Sequence, residues 1–150
     1  MTNPAIDIPN LLYLYADAID GARFDEAAAL FDHGHIEFGD IEIRGREAIA
    51  AMWRDWIRLY DCGTPRTRHI ISNPIIELAP DGLTASCRSQ WTVIQAAPGF
   101  ALQIVASGRY HDRFALIDKA WVFTKRNYAR TDLAGDSSAH TLHPLIETGR

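Results

Sequence analysis

The sequence predicts an α+β protein, an antiparallel sheet with helices packed on one side. Three observations carry that expectation. Through about residue 60, apolar side chains recur at helical spacings. Past the loop CGTPRTR the period changes to alternation, and strand follows strand. Turn signals at Pro80-Asp81-Gly82, Pro98-Gly99 and Asp118-Lys119 divide those strands at hairpin intervals. Helices first and hairpins afterwards form separate layers rather than βαβ units.

Taken in order, LLYLYADAID places Leu11, Leu12, Tyr15 and Ile19 on one helical face. Asp7 is the expected N-cap, Pro9 falls in the first turn, and Gly21 is the expected stop. A short second helix is expected from Asp25 to Phe31, capped by Asp25. HIEFGDIEIRG reads as a tight hairpin: Ile36 and Phe38 alternate inward, Gly39-Asp40 turns, and Ile41 and Ile43 alternate again. A third helix, Arg46 to Tyr60, carries a broad stripe of Ile49, Met52, Trp53, Trp56, Ile57 and Tyr60. Strands are then expected over His69 to Leu78, Leu83 to Ala96, Ala101 to Phe114 and Trp121 to Arg130, with a bulge or edge position at Pro74. From Asp132 the tail is polar and small, and reads as irregular. One domain over residues 1–150 accommodates all of it.

Bulk properties exclude several functions. Apolar residues make up 47% and charged residues 23%, the values of a soluble globular chain. A net charge of −4 gives no electrostatic case for nucleic acid or an anionic membrane. No apolar run is long enough to span a bilayer, and MTNPAIDIPN lacks the basic start of a signal peptide, so a cytoplasmic protein is expected. Two cysteines, Cys62 and Cys87, make neither a disulfide framework nor a zinc site. The sequence holds no G-x-S-x-G elbow, no phosphate loop and no dinucleotide fingerprint.

Two side chains pose problems that one contact would solve. Asp20 falls in the last turn of the first helix, where the dipole disfavours a carboxylate by up to about 1 kcal/mol. His69 shares a mostly apolar strand face with Ile71 and Asn73, and an imidazole there needs a partner. If they meet, the carboxylate orients the ring and fixes its tautomer, the arrangement of a general base. Spacing alone also allows an Asp-Gly turn pair and a packed core histidine. In SGRYHDRF, Gly108, Tyr110 and Asp112 share one face and suit a pocket wall, or else a solvated edge. His33, His35 and Glu37 alternate as metal ligands can, but Ile36 and Phe38 claim the core face, which leaves them solvated and the expected metal content none. His140 and His143 lie in the tail without a supporting helix. Arg126, in KRNYART, could hold an anionic group but reads first as one half of a surface ion pair.

The order LLYLYADAIDGARFDEAAALF, GREAIAAMW, RHIISNPIIEL, SGRYHDRF, AWVFTKRNYART and DLAGDSSAH resembles the SnoaL-like branch of the NTF2-like superfamily across nearly the whole chain. The resemblance implies a cone-shaped, cystatin-like fold: a curved antiparallel sheet wrapped by N-terminal helices around a pocket. In layout it is similar to the scytalone dehydratase and hexachlorocyclohexane dehydrochlorinase groups, which implies that His69 is a base and Asp20 its orienting partner. Departures lie nearby. Ile19 stands where scytalone dehydratases have a tyrosine, Tyr15 where the dehydrochlorinase has a lysine, and Tyr110 where the former have an asparagine. No second histidine occurs between Ser86 and Gln95.

The expectation is a lyase or isomerase, dehydratase-like, working without a cofactor on a cyclic or aromatic apolar compound. Asn73 and Tyr110 are the expected hydrogen-bond donors, and Trp53, Trp56, Tyr60 and Tyr15 the aromatic lining. The tail is expected as a lid or a strap onto a neighbour, in a homodimer or homotrimer. The alternative is a non-catalytic assembly module similar to the small subunit of ring-hydroxylating dioxygenases.

Overall fold

In the computed structural model, which describes residues 1–128 and 131–145, helix α1 runs from Pro4 to Asp20. Its N-cap is Asn3 rather than Asp7. The Ala5 N–H donates to Asn3 Oδ1 at 3.1 Å, while the Asn3 N–H donates to the Asp7 carboxylate at 2.8 Å. Pro9 therefore sits in the second turn. At the other end Gly21 has φ −88°, and Ala22 is the residue in the left-handed region, at φ 56°. Ala22 can hold that conformation because the Arg23 N–H closes onto Ala18 O at 2.8 Å.

Helix α2 is short, Phe24–Ala29, and starts ahead of Asp25 with Arg23 as its N-cap. Strands β1 (His35–Phe38) and β2 (Ile41–Arg44) form the expected hairpin. Ile36 is fully buried, but Phe38 is exposed and meets Trp56 at 5.7 Å between ring centres. Helix α3 spans Arg46–Trp56 and stops four residues short of Tyr60. The reason is competition for backbone bonds. Ile57 turns extended, the Arg58 N–H donates to His140 O at 2.9 Å, and the Leu142 N–H donates to Trp56 O at 2.8 Å. The tail takes the groups that another helical turn would have used.

Four long strands follow: β3 (Thr67–Leu78), β4 (Thr84–Ala97), β5 (Phe100–Ile117) and β6 (Ala120–Asn127). Strand β6 is described to Asn127; Ala129 and Arg130 lie outside the described residues, as do 146–150. The sheet order is β2-β1-β6-β5-β4-β3, antiparallel except where β1 joins β6 in parallel. The tail is not irregular throughout. Thr131–Ala134 forms β7, which pairs with Ala106–Gly108 of β5. Strand β5 has room for both partners, because β6 covers only its second half, His111–Ile117. Register breaks at Ser72/Ile75, Val93/Ile94, Gln95/Ala97 and Arg113/Phe114 mark bulges that let such long strands bend. The first of them is the irregularity expected at Pro74, with Asn73 at φ 52°.

The helices close over the concave face of this curved sheet. Ile8, Leu12, Tyr15 and Ile19 of α1 and Ile49, Ala50 and Trp53 of α3 pack with Val93, Val105, Phe114 and Phe123 into one core.

Candidate active site

Asp20 and His69 meet. Helix α1 ends against the start of β3, so the last helical residue faces the third residue of the strand. His69 Nδ1 donates to Asp20 Oδ1 at 2.6 Å, and the His69 backbone N–H donates to Oδ2 at 2.7 Å. Thr67 Oγ1 adds a third bond to Oδ1 at 2.7 Å. The two side chains are 7% and 9% exposed for His69 and Asp20. A carboxylate only accepts, so Nδ1 carries the hydrogen and Nε2 of the neutral ring keeps its lone pair. Burial alone would raise the Asp20 carboxyl. The bonds and charge of His69, with Thr67, outweigh it and hold the group below the ordinary carboxylate range. The dipole problem at the end of α1 is thus met by three donors.

His140 lies beside the pair, its ring centre 6.1 Å from that of His69. The segment carrying it is seated on both sides. Tyr60 Oη donates to Ala139 O at 2.6 Å, and Gln95 Nε2 donates to Ala139 O at 2.7 Å and to Pro65 O at 2.9 Å. Burial, reinforced by His69 and only partly opposed by Asp20, pushes the His140 ring down to about 4.

Farther into the cone the residues are aromatic. Tyr110 is 2% exposed, stacks on Trp91 at 5.9 Å and meets Tyr15 at 6.0 Å. Burial pushes its phenol far up. Arg126 is not on the surface. It is fully buried, donates to both oxygens of Asp112 at 2.9 and 2.7 Å, and lies 3.8 Å from the Tyr110 ring centre and 4.3 Å from that of Tyr15. Burial pushes the Asp112 carboxyl upward against the pull of that guanidinium, and the two-point geometry is that of an ion pair.

The other expected lining residues scatter. Asn73 is exposed on its bulge and donates to Gln90 Oε1 at 3.1 Å, away from the dyad, because the left-handed residue breaks the alternation with His69. Trp53 and Tyr15 are packed core side chains 5.8 Å apart. Trp56 is half-buried against Phe38 and His143, and Tyr60 serves the tail. Two open hollows, about 410 and 350 Å³, lie elsewhere, one beside Leu11 and Trp121 and one beside Gly108 and Asp132.

His35 and Glu37 are half-buried rather than solvated. With Glu42 they form the cluster whose ligand atoms all lie within 4.8 Å of one another. Lys125 bonds Glu37 at 3.2 Å and Arg44 bonds Glu42, so both carboxylates already have cations.

Thr67 was within reach of sequence reasoning, since alternation puts it on the face of His69. His140 was not, for nothing in its spacing says that the tail returns to β3.

The curved antiparallel sheet with N-terminal helices packed on it is a fold of the cystatin-like, NTF2-like type. The SnoaL-like domain profile matches residues 6–127, and the chain belongs to that family. No curated protein matches the chain. Among solved structures, it is similar to an Asp→Asn variant of a Mycobacterium tuberculosis protein of unknown function (27% identity, 89% of this chain and 75% of that one, TM-score 0.69). It is similar in fold to a candidate scytalone dehydratase from Novosphingobium aromaticivorans (23%, 95% and 90%, TM-score 0.70). The beta subunit of a candidate aromatic-ring-hydroxylating dioxygenase from that organism is also similar (18%, 90% and 94%, TM-score 0.67).

Proposed function

We propose that the chain is a cofactor-independent lyase or isomerase, of the dehydratase type, that removes a carbon-bound proton from a small ring compound. His69 Nε2 takes the proton, and Asp20 holds the ring through Nδ1 and balances the charge that forms. The electron pair left on carbon expels a leaving group or shifts a double bond. The supporting observation is the 2.6 Å hydrogen bond between two buried side chains at the junction of α1 and β3. Tyr110, Tyr15 and Trp53 supply an apolar aromatic boundary, and the segment around His140 covers the dyad as a lid. The protein works in the cytoplasm as a single-domain homodimer or homotrimer. The exposed Leu102 and Ile104 of β5 and Ile70 and Ile75 of β3 favour self-association.

The test is a panel of cyclic hydroxyketones incubated with purified protein and followed by mass for loss of water. His69→Gln lowers turnover by about 10²–10⁴-fold, the usual worth of a positioned base, with the cooperative unfolding transition kept. Turnover that survives the substitution overturns the reading. One observation favours a second reading, an assembly subunit: the likeness in fold to a dioxygenase beta subunit over 90% of this chain. Instability of the protein purified alone, cured by a larger partner, would decide for it.

A further inference from the structure

The C-terminal segment brings to the dyad a buried group that the proton-abstraction scheme leaves unused. His140 is 6% exposed, and its buried Nδ1 has no hydrogen-bond partner among the described residues. A native protein seldom strands a polar atom in this way, and one stranded beside a candidate base asks for an occupant. The ring is firmly placed, because Arg58, Trp56, Gln95 and Tyr60 all bond the backbone of residues 139–142.

Resting on the reading of His69 as the base, we propose that His140 is a second catalytic imidazole. It stays neutral and donates a ring N–H to the substrate oxygen that gains negative charge as His69 takes the proton. The substrate class is then a small cyclic carbonyl compound whose acidic C–H adjoins the C=O. The proton passes to His69 Nε2, the C–H electron pair becomes the enolate double bond, and the carbonyl π pair moves onto oxygen. His140 holds that oxygen, and no other reactant is required.

The two rings are unequal in the way this division of labour needs. Asp20 bonds His69 and not His140. The charged and titratable groups that act on His140 are His69 and Asp20, and a protonated His69 repels a second cation beside it. Burial works in the same direction. A neutral imidazole stabilises an oxyanion without competing for the proton.

The experiment titrates the full-length protein with 4-nitrophenol, buffered below the phenol's own ionisation; its absorbance separates bound phenol from bound phenolate. Wild-type protein is expected to bind it with phenolate character. His140→Phe should weaken binding by about tenfold, one lost hydrogen bond to a charged oxygen. His140→Gln, which keeps an N–H donor, should restore most of it, and unfolding midpoints confirm that both variants fold. His69→Gln should bind the phenol in its neutral form. Wild-type affinity in His140→Phe overturns the inference and leaves the base untouched. Undiminished phenolate absorbance in His69→Gln overturns the reading beneath it, and wild-type protein that binds no phenol overturns both.

Discussion

Asp20 sits where the carbonyl ends of α1 repel it, and three donors from β3 hold it there. Thr67→Val removes one of them and should cost about 1 kcal/mol in urea denaturation, with the fold kept. Because its folded-state pKa is lowered, Asp20 adds stability above its ordinary value of 3.8, and that part is lost as pH falls below it. His140 acts in a higher window. Above 6.5 neither the folded nor the unfolded chain protonates it. Between 6.5 and about 4 only the unfolded chain does, so stability falls as pH drops, by up to about 3 kcal/mol. His140→Phe should flatten the denaturation midpoint over that window, whereas an unchanged slope would place the loss elsewhere. The dyad was legible because each residue was anomalous in its local setting. His140 was not, because its burial arises from contacts across 71 positions of chain, between His69 and His140.

At the scale of elements, propensity located the helices and strands, and tertiary bonds moved their ends. The stripe of α3 predicts helix to Tyr60, yet the tail draws Ile57 into extended structure and takes the Arg58 N–H onto His140 O. The segment from Asp132 is composed like a loop, and Thr131–Ala134 still becomes a strand because β5 outruns β6 and leaves an edge to fill. Composition cannot report an unfilled edge. Gly34 marks a different constraint, the approach of β1 to β6. A Cβ there would lie 2.6–2.7 Å from backbone atoms of Thr124. Gly34→Ala should therefore destabilise the protein by about 1–3 kcal/mol, measured by thermal unfolding; a neutral effect would mean that the parallel pairing can slide.

For the whole molecule, the core is built around an ion pair as well as apolar surface. Arg126 and Asp112 are both fully buried, and two tyrosine rings flank the guanidinium. Sequence reading put Arg126 at the surface because an arginine is rarely buried whole, and only the opposing register of β5 and β6 supplies its carboxylate. Asp112→Ala strands the charge and should cost about 3–5 kcal/mol, while the double change Asp112→Leu with Arg126→Met should lie near neutral. The junction of α1, β3 and the tail holds the side chains of Asp20, His69 and His140 away from water. The step proposed for His69 is removal of a proton from carbon. The most direct measurement is deuterium uptake from D2O into cyclic ketones, read by mass spectrometry, for wild-type protein and His69→Gln. Uptake with the wild type and none above background with the variant is the predicted result; no uptake with the wild type, or equal uptake with both, would contradict it.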